Sequence, residues 1–103
     1  MIEFQPGSGG FSLAGELNYD NAGAVMSAGA TRISECSGDV TLDLAAVTSK
    51  VGSLVVAVML AWMRHAANAD VALCYTSVPS PILRIIRFSG LEDTVPVATP
   101  PSA

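Results

Sequence analysis

Few side chains in this sequence are of types that do covalent chemistry. The one histidine, His65, stands in the polar run Arg64-His65-Ala66-Ala67-Asn68. It falls late in a helical stretch, where solvated surface is the default reading. A hydrolytic triad needs a histidine beside a nucleophile and a carboxylate, and no nucleophile motif accompanies His65. Pro6-Gly7-Ser8-Gly9-Gly10 is glycine-rich, yet it lacks a Lys-Ser/Thr pair and opens no helix, so it is no phosphate loop. Glu16, Asp20 and Asp43 have no spacing that marks a metal site. Cys36 and Cys74 share no metal or redox spacing and read as reduced, buried, small hydrophobes. No catalytic residue, cofactor or metal is expected.

Ser53 is the exception. It falls where a strand-loop-helix unit delivers a hydroxyl to a helix N-terminus, a place that favours an anion because free backbone N–H groups point there. A phosphate on Ser53 would change the local charge by about two units. The plainer alternative is an N-cap serine, worth about 1 kcal/mol. Lys50, Arg64, Arg84 and Arg87, four of the five basic residues, lie from residue 50 onward. They read either as a patch for an acidic partner surface or as scattered solvated charges.

Length and composition bound the rest. The chain has 103 residues, enough for one domain with a modest core. Half of it is hydrophobic and 14% is charged, which excludes a wholly disordered chain. The net charge of -4 leaves no basic footprint for nucleic acid or for an anionic membrane. The uncharged apolar stretch between Lys50 and Arg64 is well short of the roughly 20 residues that span a bilayer. No basic leader precedes an apolar run at Met1-Ile2-Glu3-Phe4, so a cytoplasmic protein without direct membrane insertion is expected.

Periodicity supplies the elements that must hold Ser53. Ile2–Gln5 and Phe11–Gly15 read as a strand hairpin around the Pro-Gly turn. A helix follows with Asn18 or Asp20 as cap and Val25, Met26, Gly29 and Ile33 on one face. Val40–Leu44 is the clearest strand, and Ala45–Gly52 reads as loop. Ser53–Arg64 is long enough to favour a helix. Asp70–Tyr75 is the next strand. Ser80-Pro81 opens a third helix that Gly90 ends, and Val95 is a candidate for a last strand residue. The order β-β-α-β-α-β-α predicts a single α/β domain over residues 1–96, with a mixed sheet of four to five strands and three helices. Residues 97–103 read as a flexible Pro-rich tail.

From Leu54 to Met63 the second helix is apolar all round, unlike an ordinary surface helix. One side can cover the sheet. The other side lies either between the first and third helices or under a partner, with Trp62 as a candidate interface anchor.

Several segments resemble the STAS domain family. Phe11-Ser12-Leu13-Ala14-Gly15-Glu16-Leu17-Asn18-Tyr19-Asp20 looks like its second strand and the Gly-Glu-Leu-Asp turn after it. Val40-Thr41-Leu42-Asp43-Leu44-Ala45-Ala46-Val47 looks like its central strand. Leu60-Ala61-Trp62-Met63-Arg64-His65-Ala66 and the stretch from Val78-Pro79 to Asp93 look most like the short stand-alone subunits of phospholipid-transport ABC systems. The resemblance implies a non-catalytic accessory subunit that binds the cytoplasmic ATPase of the transporter, and through it the membrane permease. Such a system maintains outer-membrane lipid asymmetry in Gram-negative bacteria, and the subunit lies peripheral to the inner membrane. The alternative implied is an anti-sigma-factor antagonist switched by serine phosphorylation.

The family motif is an acidic residue followed by Ser or Thr at the start of the second helix. Counting back from Trp62 places Ser53 on the hydroxyl position and Gly52 on the acidic one. This register needs one extra residue after Asp43; a gapless count places Gly52 on the hydroxyl position instead. The missing carboxylate argues against the kinase-regulated mechanism. Lys50, Gly52, Ser53, Leu54, Arg84 and Arg87 are the expected partner-binding residues, and Ser53 is also the candidate phosphorylation site.

Overall fold

The computed structural model describes residues 3–7, 10–36 and 38–97. The elements are β1 (Glu3–Gly7), β2 (Gly10–Glu16), α1 (Ala22–Ser34), β3 (Gly38–Thr48), α2 (Gly52–Asn68), β4 (Val71–Thr76) and α3 (Ser80–Phe88). The sheet order is β1-β2-β3-β4, with β1 antiparallel to β2 and the β2-β3 and β3-β4 pairs parallel. Three parallel strands that step in one direction, joined by right-handed crossovers, carry their helices on a single face. Burial follows that geometry. Phe11, Leu13, Val40, Leu42, Leu44, Val71, Leu73 and Tyr75 are buried. The alternating Ser12, Ala14, Thr41, Asp43, Cys74 and Thr76 are half-buried on the other face.

The expected element order and hairpin are present, with corrections at several boundaries. The hairpin closes tightly: Gly7 pairs with Gly10, and Pro6 lies inside β1, an edge strand where proline is tolerated. Ile2 lies outside the described residues. The cap position of α1 is Asn21 rather than Asn18 or Asp20. Asn18 and Asn21 instead bond each other across the turn: each backbone N–H donates to the other's Oδ1, at 2.9 and 3.0 Å. Strand β3 runs on to Thr48, and α2 runs from Gly52 to Asn68, so the loop between them is only residues 49–51. Ser80 is the first residue of α3, with Pro79 at the cap, because Pro79 presets an extended backbone there. Gly90 ends the helix region with φ +72°. The β-bridge beyond α3 joins Val97 to Tyr75, and Val95 is a buried core residue instead. Val97 therefore belongs to the domain, while residues 98–103 lie outside the described ones. Both cysteines are half-buried rather than buried.

The middle of β3 holds a bulge. Ser12 pairs with Asp43 and Ala14 with Ala46, so Leu44 and Ala45 together face the stretch opposite Leu13. The Asp43 carboxylate accepts the Ala45 N–H at 2.8 Å and fixes the kink. The extra residue shifts the alternation, so Val47 is buried while Ala46 and Thr48 are exposed.

Helix α2 is the middle helix of the layer and packs against α1, α3 and β4. Val55, Val56, Val58, Met59, Trp62 and Ala66 are buried, and Leu54, Leu60 and Met63 are half-buried. Its apolar surplus is thus absorbed mainly by its neighbours, not by a partner. Trp62 is 1% exposed, and its Nε1 donates to the Met26 carbonyl at 3.1 Å. Gly29 on α1 leaves room for the indole, since a Cβ there would overlap the ring. Phe4 packs edge-on against Trp62 with ring centroids 5.7 Å apart. Trp62 is a core residue, not an interface anchor.

Candidate functional site

The loops β2-α1, β3-α2 and β4-α3 leave the C-terminal ends of the parallel strands at one edge, where α/β sheets present functional groups. Two of these loops are laced together. The Leu17 N–H donates to the Thr48 carbonyl at 2.8 Å. Ser49 Oγ lies 2.8 Å from the Leu17 carbonyl and 3.0 Å from that of Val51, either of which can take its proton. It also accepts the Val51 N–H at 3.1 Å. Ser49, not Ser53, is therefore the serine that organises the entry to α2.

Ser53 is the second residue of α2, exposed, and makes no capping bond. The cap position is Val51, and no acidic side chain stands in the first turn. A hydroxyl so placed is free to meet a partner or to carry a phosphate. No hydrogen-bonded base activates it among the described residues, so it has no nucleophile's geometry. Lys50 is exposed in the loop just before it, and Leu54 is half-buried. Gly52 is half-buried, and a Cβ there would meet the Ile85 side chain of α3, with Ile82 at 3.5 Å. A side chain at this position would therefore have to displace the end of the Ile85 side chain.

Beside this end lies a shallow hollow of about 260 Å³ lined by Val47, Ser49, Val55, Pro79 and Ile82. Tyr19, on the β2-α1 loop that Ser49 ties down, is 73% exposed at the same edge. The sequence reading missed it. An aromatic in the polar run Asn18-Tyr19-Asp20-Asn21 was the available signal.

Arg84 and Arg87 do not join this group. Ile82 and Ile85 are the α3 side chains turned toward Gly52, whereas Arg84 and Arg87 are exposed away from it. Arg87 Nε donates to Glu92 Oε2 at 3.2 Å, an exposed pair of small energetic weight. His65 is exposed late in α2, far along the helix from Ser53. Tyr75 is fully buried in the core. Burial pushes its phenol up, and its hydroxyl donates to the Met59 carbonyl at 2.6 Å, a structural role. Among the described residues no three His, Cys, Asp or Glu side chains gather as a metal site, and no helix is long and apolar enough to cross a membrane.

This arrangement has close structural parallels. An anti-sigma factor antagonist from Mycobacterium paratuberculosis superposes with a TM-score of 0.72 at 18% identity, covering 99% of this chain and 86% of that one. The anti-sigma factor antagonist SpoIIAA in its unphosphorylated form gives 0.69 at 15% identity, covering 97% and 90%. The phosphorylated form of SpoIIAA, a Bacillus cell fate determinant, gives 0.64 at 15% identity, covering 97% and 93%. At these identities the likeness establishes the fold. No curated protein sequence matches the chain significantly. The sequence itself matches the family described as "Mlab, STAS domain" over residues 1–97. By this match over nearly its whole length, the chain belongs to the MlaB-type STAS domain family.

Proposed function

We propose that this protein is a non-catalytic accessory subunit that docks on the cytoplasmic ATPase of an ABC phospholipid transporter. Through that ATPase it sits peripheral to the inner membrane beside the permease and supports outer-membrane lipid asymmetry. The observation that carries the reading is the α2 entry: an exposed, unbonded Ser53 beside exposed Lys50, with Gly52 tucked under Ile85 where a carboxylate would stand. Family membership supports a docking role at this end, and the exposed Tyr19 and the neighbouring hollow offer an aromatic anchor and a socket. The bulge after Asp43 supplies an extra residue where the register that selects Ser53 requires one.

Co-expression with the ABC ATPase encoded nearest in the genome tests it. The complex should co-purify with the wild-type chain and be lost with Ser53→Arg, whose fold is checked by circular dichroism. Undiminished co-purification of that variant would sink the proposed site.

A second reading, an anti-sigma-factor antagonist switched by phosphorylation, rests on the accessibility of the Ser53 hydroxyl. It requires phosphate on Ser53 after incubation with a serine kinase of the same cell. Its absence from intact-mass spectra under conditions that label a known antagonist would count against it.

A further inference from the structure

We infer that the outer face of α3, built by Arg84, Arg87 and Phe88, is a second docking surface, for an acidic segment of a partner protein that carries one apolar anchor residue. Helix α3 is sharply two-faced. Ile82 and Ile86 are buried in the core and Leu83 and Ile85 are half-buried, while Ser80, Arg84, Arg87 and Phe88 are exposed. Phe88 is 83% exposed, more than any other large apolar side chain among the described residues. An aromatic side chain left in water forgoes the free energy of burial that a partner could supply. On the same helix Ser80, Leu83, Arg84 and Arg87 line an open groove of about 220 Å³, with half-buried Leu83 as its apolar part.

Charge selects the occupant. The chain carries nine acidic and five basic residues, yet α3 holds two arginines and no carboxylate. Glu92 bonds Arg87 from outside the helix, and Arg84 forms no ion pair among the described residues. A positive, aromatic face on a net-negative protein is complementary to an acidic segment. Arginine and aromatic side chains are also the types enriched at interface hot spots. A second copy meeting this face with its own would bring arginine against arginine. An anionic bilayer is recognised by clusters of about four to eight basic residues, more than α3 provides. Arg84, Arg87 and Phe88 line no part of the hollow beside the Ser53 end, so the proposal does not depend on the ATPase reading.

The test is selection of short random peptides displayed on phage against the full chain, followed by fluorescence anisotropy of the winners. The selected peptides should be rich in Asp and Glu around one apolar residue, and their affinity should fall as salt rises. Arg84→Glu and Phe88→Ala should each weaken them by about tenfold or more, with unchanged melting curves because both side chains are exposed. Glu92→Gln should strengthen binding a few-fold by freeing Arg87, and Ser53→Arg should leave it unaltered. Winners without acidic residues, or winners indifferent to Arg84→Glu, overturn the proposal. So does sedimentation with phosphatidylcholine–phosphatidylglycerol vesicles that is lost with Arg84→Glu, or a dimer that is lost with Phe88→Ala, since each assigns the face to another occupant.

Discussion

Gly52 at the start of α2 lies directly under the Ile85 side chain of α3, whose Cδ1 would have to shift to admit a Cβ. The contact joins the first residue of α2 to the packing of the last helix. A helix N-terminus welcomes a carboxylate by about 0.3–1 kcal/mol, and a non-glycine residue there gains up to about 1 kcal/mol of helix propensity. Against these gains stands the shift that a Cβ would force on the Ile85 side chain.

Gly52→Asp and Ile85→Ala are therefore coupled. Gly52→Asp should be more favourable in the Ile85→Ala background than in the wild type, with an interaction energy of about 0.5–2 kcal/mol. Urea unfolding of the four proteins of the cycle measures it. Strict additivity would show that Ile85 simply swings aside.

The two serines flanking this entry should separate in stability. Ser49 Oγ bridges the β2-α1 and β3-α2 loops, so Ser49→Ala is expected to cost about 1–2 kcal/mol. Ser53 makes no such bond, and Ser53→Ala should stay within about 0.5 kcal/mol. Denaturant midpoints compare them directly, and partner binding should follow Ser53 rather than Ser49.

Tyr75 ties stability to alkaline pH. Burial raises its phenol above the ordinary 10.0, so the folded chain keeps the proton after the unfolded chain has released it. This contribution is complete below the unfolded value and declines as pH rises above it. Tyr75→Phe should remove that decline, at the cost of about 1 kcal/mol near neutrality for the lost bond to the Met59 carbonyl. Unfolding free energies compared between about pH 8 and pH 11 reveal whether the slopes of the two proteins differ.

Local rules made much of this protein legible in its sequence. Alternation marked β2, the first part of β3 and β4, the helical runs marked the layer above them, and Pro81 and Gly90 bounded α3, because each signal acts within a few residues. Ser53 was read as the cap that opens α2, whereas Val51 holds the cap position and Ser53 is the second helical residue. What the sequence did not carry depends on partners far away in the chain. Asp43 turns β3 into a bulge only when β2 pairs beside it. Trp62 becomes a core residue because Gly29 and the Met26 carbonyl receive it from another helix. Ser49 takes the organising role from Ser53 because Leu17, 32 residues earlier, lies within reach of its hydroxyl. Arg84 and Arg87 part from Ser53 for the same reason: α3 spends its inner face on Gly52 and the core, so its charged face must turn outward.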